Sequence, residues 1–161
     1  MTQTIVELVS GQVVNLCKDE NGCRIVQRIM ERFPRQQIRG IVDQVMGLIT
    51  ELTMHEYGNY VITHILEHGT DEERTLIIEE IIDDIVKHSL HKFGSNVVEK
   101  CLLHAPAKRK SMILDRIVGV QVANSDLSLA KMIDNEFANY VVQSAFEISD
   151  DQKRSILIQK I

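Results

Sequence analysis

Twelve side chains recur in this sequence as four triples: Cys23, Arg24 and Gln27; Asn59, Tyr60 and Thr63; Ser95, Asn96 and Glu99; Asn139, Tyr140 and Gln143. The third member lies four residues after the first, and residues three and four apart on a helix are neighbours. The first and third members therefore share a face with the second. Amides, hydroxyls and a carboxylate at those places can hydrogen-bond the edge of a planar group. Of the middle members, Arg24, Tyr60 and Tyr140 offer flat surfaces for stacking, and Asn96 a weaker one. This is the chemistry of recognition. Glu99 has no nucleophile or metal partner in the pattern, so catalysis is not expected.

Further along the same faces lie a second and third set. Five residues past the first member of each triple are Arg28, His64, Lys100 and Ser144; nine past are Arg32, His68, His104 and Ile148. One turn apart, they stack into a row in which three units carry a cationic or titratable pair. The plain alternative is a solvated face; collinearity with the triples favours a basic row. His64 and His68 have the spacing of a metal-binding pair, but HILEH is not HExxH and no third ligand is evident. No metal and no cofactor is expected.

The elements that position these residues repeat with them. The triples sit in NGCRIVQR from Asn21, YGNYVITH from Tyr57, FGSNVVEK from Phe93 and FANYVVQS from Phe137, spaced 36, 36 and 44 residues apart. A fixed period of this size marks a repeat array. Apolar residues at Ile25, Val26, Ile29 and Met30 predict a helix from Cys23. Eleven residues past each first member is a helix-start signal, Pro34, Thr70, Pro106 or Asp150. Thr70 with Glu73, and Ser149 with Gln152, form capping-box patterns. Core positions recur at Val13, Ile49, Ile85 and Leu129; at Ile41, Ile77, Ile113 and Leu157; and at Val42, Ile78, Leu114 and Ile158. Each unit thus has a short helix, the motif helix and a third helix, and buries its faces against its neighbours. Residues 1 to 20 read as the tail of one such unit. The longer last interval places a longer loop or an extended helix start near Gly119 to Leu127. Ending at Ile161, a core position, and beginning without a capping unit, the chain reads as a segment of a longer array.

With 161 residues, 44% hydrophobic and 25% charged, the chain is long enough for one globular domain. No apolar run approaches a membrane span. Cys17, Cys23 and Cys101 are an odd number without paired spacing, pointing to free thiols and a reducing compartment. The formal net charge of -5 gives no bulk attraction for nucleic acid, so such a role needs a local basic face.

Through CRIVQ, YGNYVI, SNVVEKC and ANYVVQ the chain resembles the Pumilio/FBF (PUF) family of RNA-binding repeat proteins, over essentially its whole length. The resemblance implies an all-α fold: a curved, right-handed helical-repeat solenoid, an alpha-alpha superhelix of three-helix repeats. It implies a single partial Pumilio homology domain over residues 1–161, most like the last four of the family's usual eight repeats. These would be approximately residues 9–44, 45–80, 81–116 and 125–161, with a longer link at 117–128. In that family the triples line a concave surface, each repeat takes one base, and single-stranded RNA runs antiparallel to the protein.

Base-edge chemistry can be read beside that resemblance. Guanine alone offers two adjacent donors, which suit the Glu99 carboxylate, with Ser95 adding a bond. The Gln27 amide matches adenine, with Cys23 against the ring. Asn139 and Gln143 together satisfy uracil. Thr63 stands where glutamine stands in NYxxQ and is too short to reach the same edge, so Asn59 and Tyr60 should hold a base that is poorly read. The antiparallel reading is U, G, an uncertain base at which uracil is mildly preferred, then A, against the family's UGUA. The resemblance further implies binding to messenger RNA 3′ untranslated regions, translational repression or decay in the cytoplasm, and protein co-regulators on the outer face or the 117–128 link. Uncapped ends point to self-association. The competing reading is an armadillo- or HEAT-like protein-interaction scaffold, which lacks such triples at a fixed position.

Overall fold

The computed structural model describes residues 2–119 and 125–160. Among them the chain forms thirteen α-helices and no strand. They are α1 (Thr2–Ser10), α2 (Val13–Cys17), α3 (Gly22–Arg32), α4 (Arg35–Met46), α5 (Ile49–Thr53), α6 (Gly58–His68) and α7 (Asp71–Ile82), then α8 (Ile85–Ser89), α9 (Gly94–His104), α10 (Ala107–Val118), α11 (Ser125–Ile133), α12 (Ala138–Ile148) and α13 (Asp151–Lys160). The motif helices α3, α6, α9 and α12 pack side by side in one layer, and α7, α10 and α13 pack in a second. The short helices α2, α5, α8 and α11 each join their own motif helix. The result is an all-helical repeat superhelix. Helix α1 packs on α2 and α4, as α7 packs on α8 and α10, so it stands where the third helix of a preceding unit would.

The frame predicted from the period forms the core. Val13, Ile49, Ile85 and Leu129 are buried, as are Ile41, Ile77, Ile113 and Leu157. Two positions change with their place in the array. Ile25 is 46% exposed, whereas its equivalents Val61, Val97 and Val141 are fully buried. Those three lie on helices that each pack against a preceding motif helix, and among the described residues α3 has none before it. Toward the other end Ile158 is 61% exposed while Val42, Ile78 and Leu114 are buried, each of the last three lying on a third helix with a further unit packed after it among the described residues. Ile161 lies outside the described residues.

Helix starts follow local chemistry. Thr70 and Glu73 form the expected capping box on α7. Pro34 and Pro106 are N-caps, one place before the first helical turn. The Ser149–Gln152 box does not form. Ser149 is the C-cap of α12 and donates its hydroxyl to the Ala145 carbonyl at 2.6 Å. Asp150 caps α13 instead, its Oδ1 accepting from the Lys153 amide at 2.8 Å. Ile117 and Val118, placed in the link by sequence, belong to α10 and are buried. Gly119 ends α10 in the left-handed region at φ 72°. Part of the extra length of the last unit is helix, since α11 runs for nine residues against five in α5 and α8; residues 120–124 of the expected link lie outside the described residues.

Where a motif helix meets its short helix, the small residue is required by contact. A Cβ on Gly22 would sit 2.5 Å from the Leu16 carbonyl oxygen, and one on Gly94 2.5 Å from that of His88.

Candidate nucleic-acid interface

The side-by-side motif helices bring the four triples into one row. Arg24, Tyr60, Asn96 and Tyr140 are all exposed. Tyr60 at 53% and Tyr140 at 59% are not packing residues, so their rings are available as stacking platforms. A cavity of about 560 Å³ opens between α3 and α6, lined by Cys23, Arg24, Gln27, Arg28, Tyr57 and Tyr60 among others. A second, of about 410 Å³, is bounded by Asn59, Tyr60, Thr63, Asn96, Glu99 and Ser144. The larger hollow of about 610 Å³ beside α8 and α11 touches none of the triples.

The first member of each triple is less accessible than its chemistry suggested. Cys23, Asn59 and Ser95 are buried, and Asn139 is half-buried. These side chains are short and turn back onto the preceding turn. Cys23 Sγ donates to the Glu20 carbonyl and Ser95 Oγ to that of Lys92, both at 3.3 Å. Asn59 Nδ2 donates to the His55 and Glu56 carbonyls, both at 2.8 Å. Asn139 Nδ2 donates to the Asn135 carbonyl at 2.8 Å.

The third members differ in what they do for the first. Gln143 Nε2 donates to Asn139 Oδ1 at 3.2 Å, so that amide is satisfied on both sides. Thr63 does not do this. Its hydroxyl donates to the Tyr60 carbonyl at 3.1 Å, and Asn59 Oδ1 is left buried without a hydrogen-bond partner among the described residues. The short side chain therefore changes the inside of the unit.

Residues 12–46, 49–82, 89–118 and 135–161, together most of the chain, match the Pumilio-family RNA binding repeat. The chain belongs to the Pumilio family. Among solved structures, its Pumilio repeats superpose on PUF-8 in complex with PBE-RNA with a TM-score of 0.86 at 32% identity, covering 98% of this chain and 46% of that one. They superpose on the Puf3 RNA-binding domain bound to a Cox17 RNA 3′ UTR recognition sequence with a TM-score of 0.84 at 28% identity, covering 97% and 49%. The Puf4 RNA-binding domain bound to an HO endonuclease RNA 3′ UTR recognition sequence matches in fold, with a TM-score of 0.87 at 24% identity, covering 98% and 50%. The chain thus spans about half the length of the structures it matches. No curated protein sequence matches it.

In these Pumilio repeats the expected basic row is largely tied up in a ladder of hydrogen bonds and ion pairs to carboxylates. His64 Nε2 lies 3.2 Å from Glu31 Oε1 of the preceding unit, and Lys100 pairs with Glu67 of the unit before it. Arg28 pairs with Glu31 at 3.3 Å, and His68 Nε2 lies 3.7 Å from Glu67. Burial pushes the His64 imidazole below its ordinary value despite the opposing pull of Glu31. Neutral at pH 7, it donates Nε2–H to Glu31, and that hydrogen bond is the main cause holding the Glu31 carboxyl low. Glu67 is likewise held low, first by Lys100. His104 is pushed down, chiefly by burial. Arg24 and Arg32 are exposed cations on this face with no ion pair among the described residues.

Sequence reasoning missed a further set of residues. Four places before each triple stand Asp19, His55, His91 and Asn135. Each accepts from two backbone amides that open its motif helix. Asp19 Oδ1 takes the Asn21 and Gly22 amides at 3.0 and 2.7 Å, and Asn135 Oδ1 takes those of Phe137 and Ala138 at 2.9 and 2.8 Å. His55 and His91 do the same through Nδ1 at 3.2–3.3 Å. They satisfy the orphan donors of a helix start. The signal was a side-chain acceptor at one fixed offset, hidden because three residue types supply it.

Proposed function

We propose that this chain binds single-stranded RNA sequence-selectively, one base per unit, with the RNA antiparallel to the protein. The observation that carries the reading is the row of exposed planar side chains, Arg24, Tyr60, Asn96 and Tyr140, each in register with a pair of edge-reading groups. Under this reading Asn139 and Gln143 hold uracil, Ser95 and Glu99 hold guanine, and Cys23 and Gln27 hold adenine. The unit of Asn59 and Thr63 holds its base mainly by stacking on Tyr60. The preferred core is UGUA-like with a tolerant third base. The work is binding and not catalysis. The PUF-8 and Puf3 complexes, both with RNA, support the assignment, and the Puf3 complex, with a 3′ UTR sequence, supports messenger RNA as the source. Repression or decay of messages in the cytoplasm is the role that fits such binding. Leu76 and Met112, exposed on the second helix layer, support a protein co-regulator there.

The test is fluorescence polarisation with a labelled UGUA oligonucleotide against a scrambled one of equal length. Tighter binding to UGUA is expected; equal affinity would leave only a helical scaffold.

A further inference from the structure

Ser144 occupies a place where the two preceding units carry His64 and Lys100. Those two reach back to a carboxylate eight residues past the first member of the previous triple, Glu31 and Glu67. At the third junction that place is Leu103, exposed and without an acceptor. Ser144 turns instead to the triple itself: its Oγ donates to Glu99 Oε1 at 3.1 Å, from α12 across to α9. Lys100, next to Glu99 in the chain, is drawn away to Glu67. Among the described residues no ion pair and no other hydrogen bond reaches the Glu99 carboxylate.

Resting on the assignment of Glu99 to guanine, we propose that Ser144 is a positioning residue that sets the base selectivity of the unit before its own. A carboxylate has about four lone-pair sites on two oxygens. One donor from Ser144 leaves both oxygens able to accept, one for each of the two adjacent guanine donors. A hydroxyl is neutral, so it fixes the rotation of the carboxylate without neutralising it. A glutamate already held in place loses less side-chain freedom when a base arrives. Ser144 is itself half-buried, and with Glu99 it borders the same cavity as Tyr60 and Asn96.

The experiment compares wild type with Ser144→Ala, Ser144→Cys and Ser144→Thr. The probes are UGUA-core RNAs carrying guanine, inosine, adenine, cytosine or uracil at the second base, and controls altered at the first, third or fourth base. Thermal melts by circular dichroism accompany each variant. The expected result is a loss of about three- to tenfold in affinity for the guanine RNA in Ser144→Ala and Ser144→Cys, as for a half-exposed hydrogen bond to a charged group. The guanine-over-adenine and guanine-over-inosine ratios fall with it, ratios at the other bases hold, and Ser144→Thr retains wild-type selectivity. An equal loss for every RNA, with ratios unchanged, makes Ser144 a mere tie between α12 and α9 and overturns the proposal. A guanine preference in wild type that survives unaltered in Ser144→Ala and Ser144→Cys overturns it while leaving the Glu99 assignment standing. Wild type without guanine preference overturns both.

Discussion

Replacing Thr63 with glutamine tests the interior and the reading edge of one unit together. In the fourth unit Gln143 Nε2 satisfies Asn139 Oδ1 at 3.2 Å; in the second, Asn59 Oδ1 is buried and unpaired. An unsatisfied buried acceptor costs roughly 1–3 kcal/mol. Ordering a glutamine side chain takes back up to about 1.5 kcal/mol, and its better helix propensity returns a few tenths. Thr63→Gln is therefore expected to stabilise the chain by about 1 kcal/mol, read as a rise of about 2–4 °C in melting temperature. At the edge, the added amide supplies one further hydrogen bond, worth about 1 kcal/mol or about fivefold in preference for uracil at the third base. The assay is polarisation with four RNAs differing only at that base, beside a melt of each protein. Preferences at the other three bases should not move. If wild type already rejects cytosine, adenine and guanine there as strongly as at the Asn139–Gln143 unit, the argument from reach is wrong. If the melting temperature falls, the orphaned Asn59 oxygen is not the cost assigned to it.

Other expectations follow from named contacts. Glu99→Gln should cut guanine selectivity by about 1–3 kcal/mol, by analogy with bidentate base contacts; an unchanged guanine preference in the same assay would remove Glu99 from the site. His88 fills a core place held by Leu16, Leu52 and Met132 in the other units, and its Nδ1 is buried without a partner. Burial, against the pull of Asp84, holds it below 6.5. The unfolded imidazole takes its proton first, so stability present above that pH is lost as pH falls through it, at up to about 1.4 kcal/mol per pH unit; His64 and His104 act in the same direction. Denaturant melts across about pH 7 to 5 should be flatter in His88→Leu than in wild type. Because the basic row is mostly paired, RNA affinity should fall with salt at a log–log slope of only about -1 to -2, near 0.7 for each phosphate neutralised; a slope several times steeper would mean that the ladder opens on RNA. The uncovered apolar ends, with Leu8 68% and Ile158 61% exposed, should make sedimentation depend on concentration; a clean monomer at high concentration would contradict this.

The repeat, its three helices and the row of triples were legible because each rests on a pattern that recurs in register. Ile25 and Ile158 were misplaced because equivalent positions acquire different surroundings where the described units have no neighbour on one side. The burial of Asn59 and Ser95 was hidden for a local reason: a short polar side chain on a helix can satisfy itself on the preceding turn. The ladder of hydrogen bonds and ion pairs was hidden because its longest rungs join different units. Glu31 to His64 and Glu67 to Lys100 are both 33 residues apart, an offset that has meaning only once neighbouring motif helices are known to touch. Asp19, His55, His91 and Asn135 escaped because one geometric task was met by unlike side chains.

The close approach at Gly22 and Gly94 has a consequence for any attempt to rewrite what this row recognises. There the motif helix and the main chain of its short helix meet with no side chain between them, so the joint is gauged by backbone dimensions alone. The residues proposed to touch a base lie elsewhere on the same helix and take no part in that gauge. Exchanging them alters the letters while the distance from one letter to the next stays as it was. Adding even one methyl at Gly94 would leave the letters intact and shift the ruling of the page.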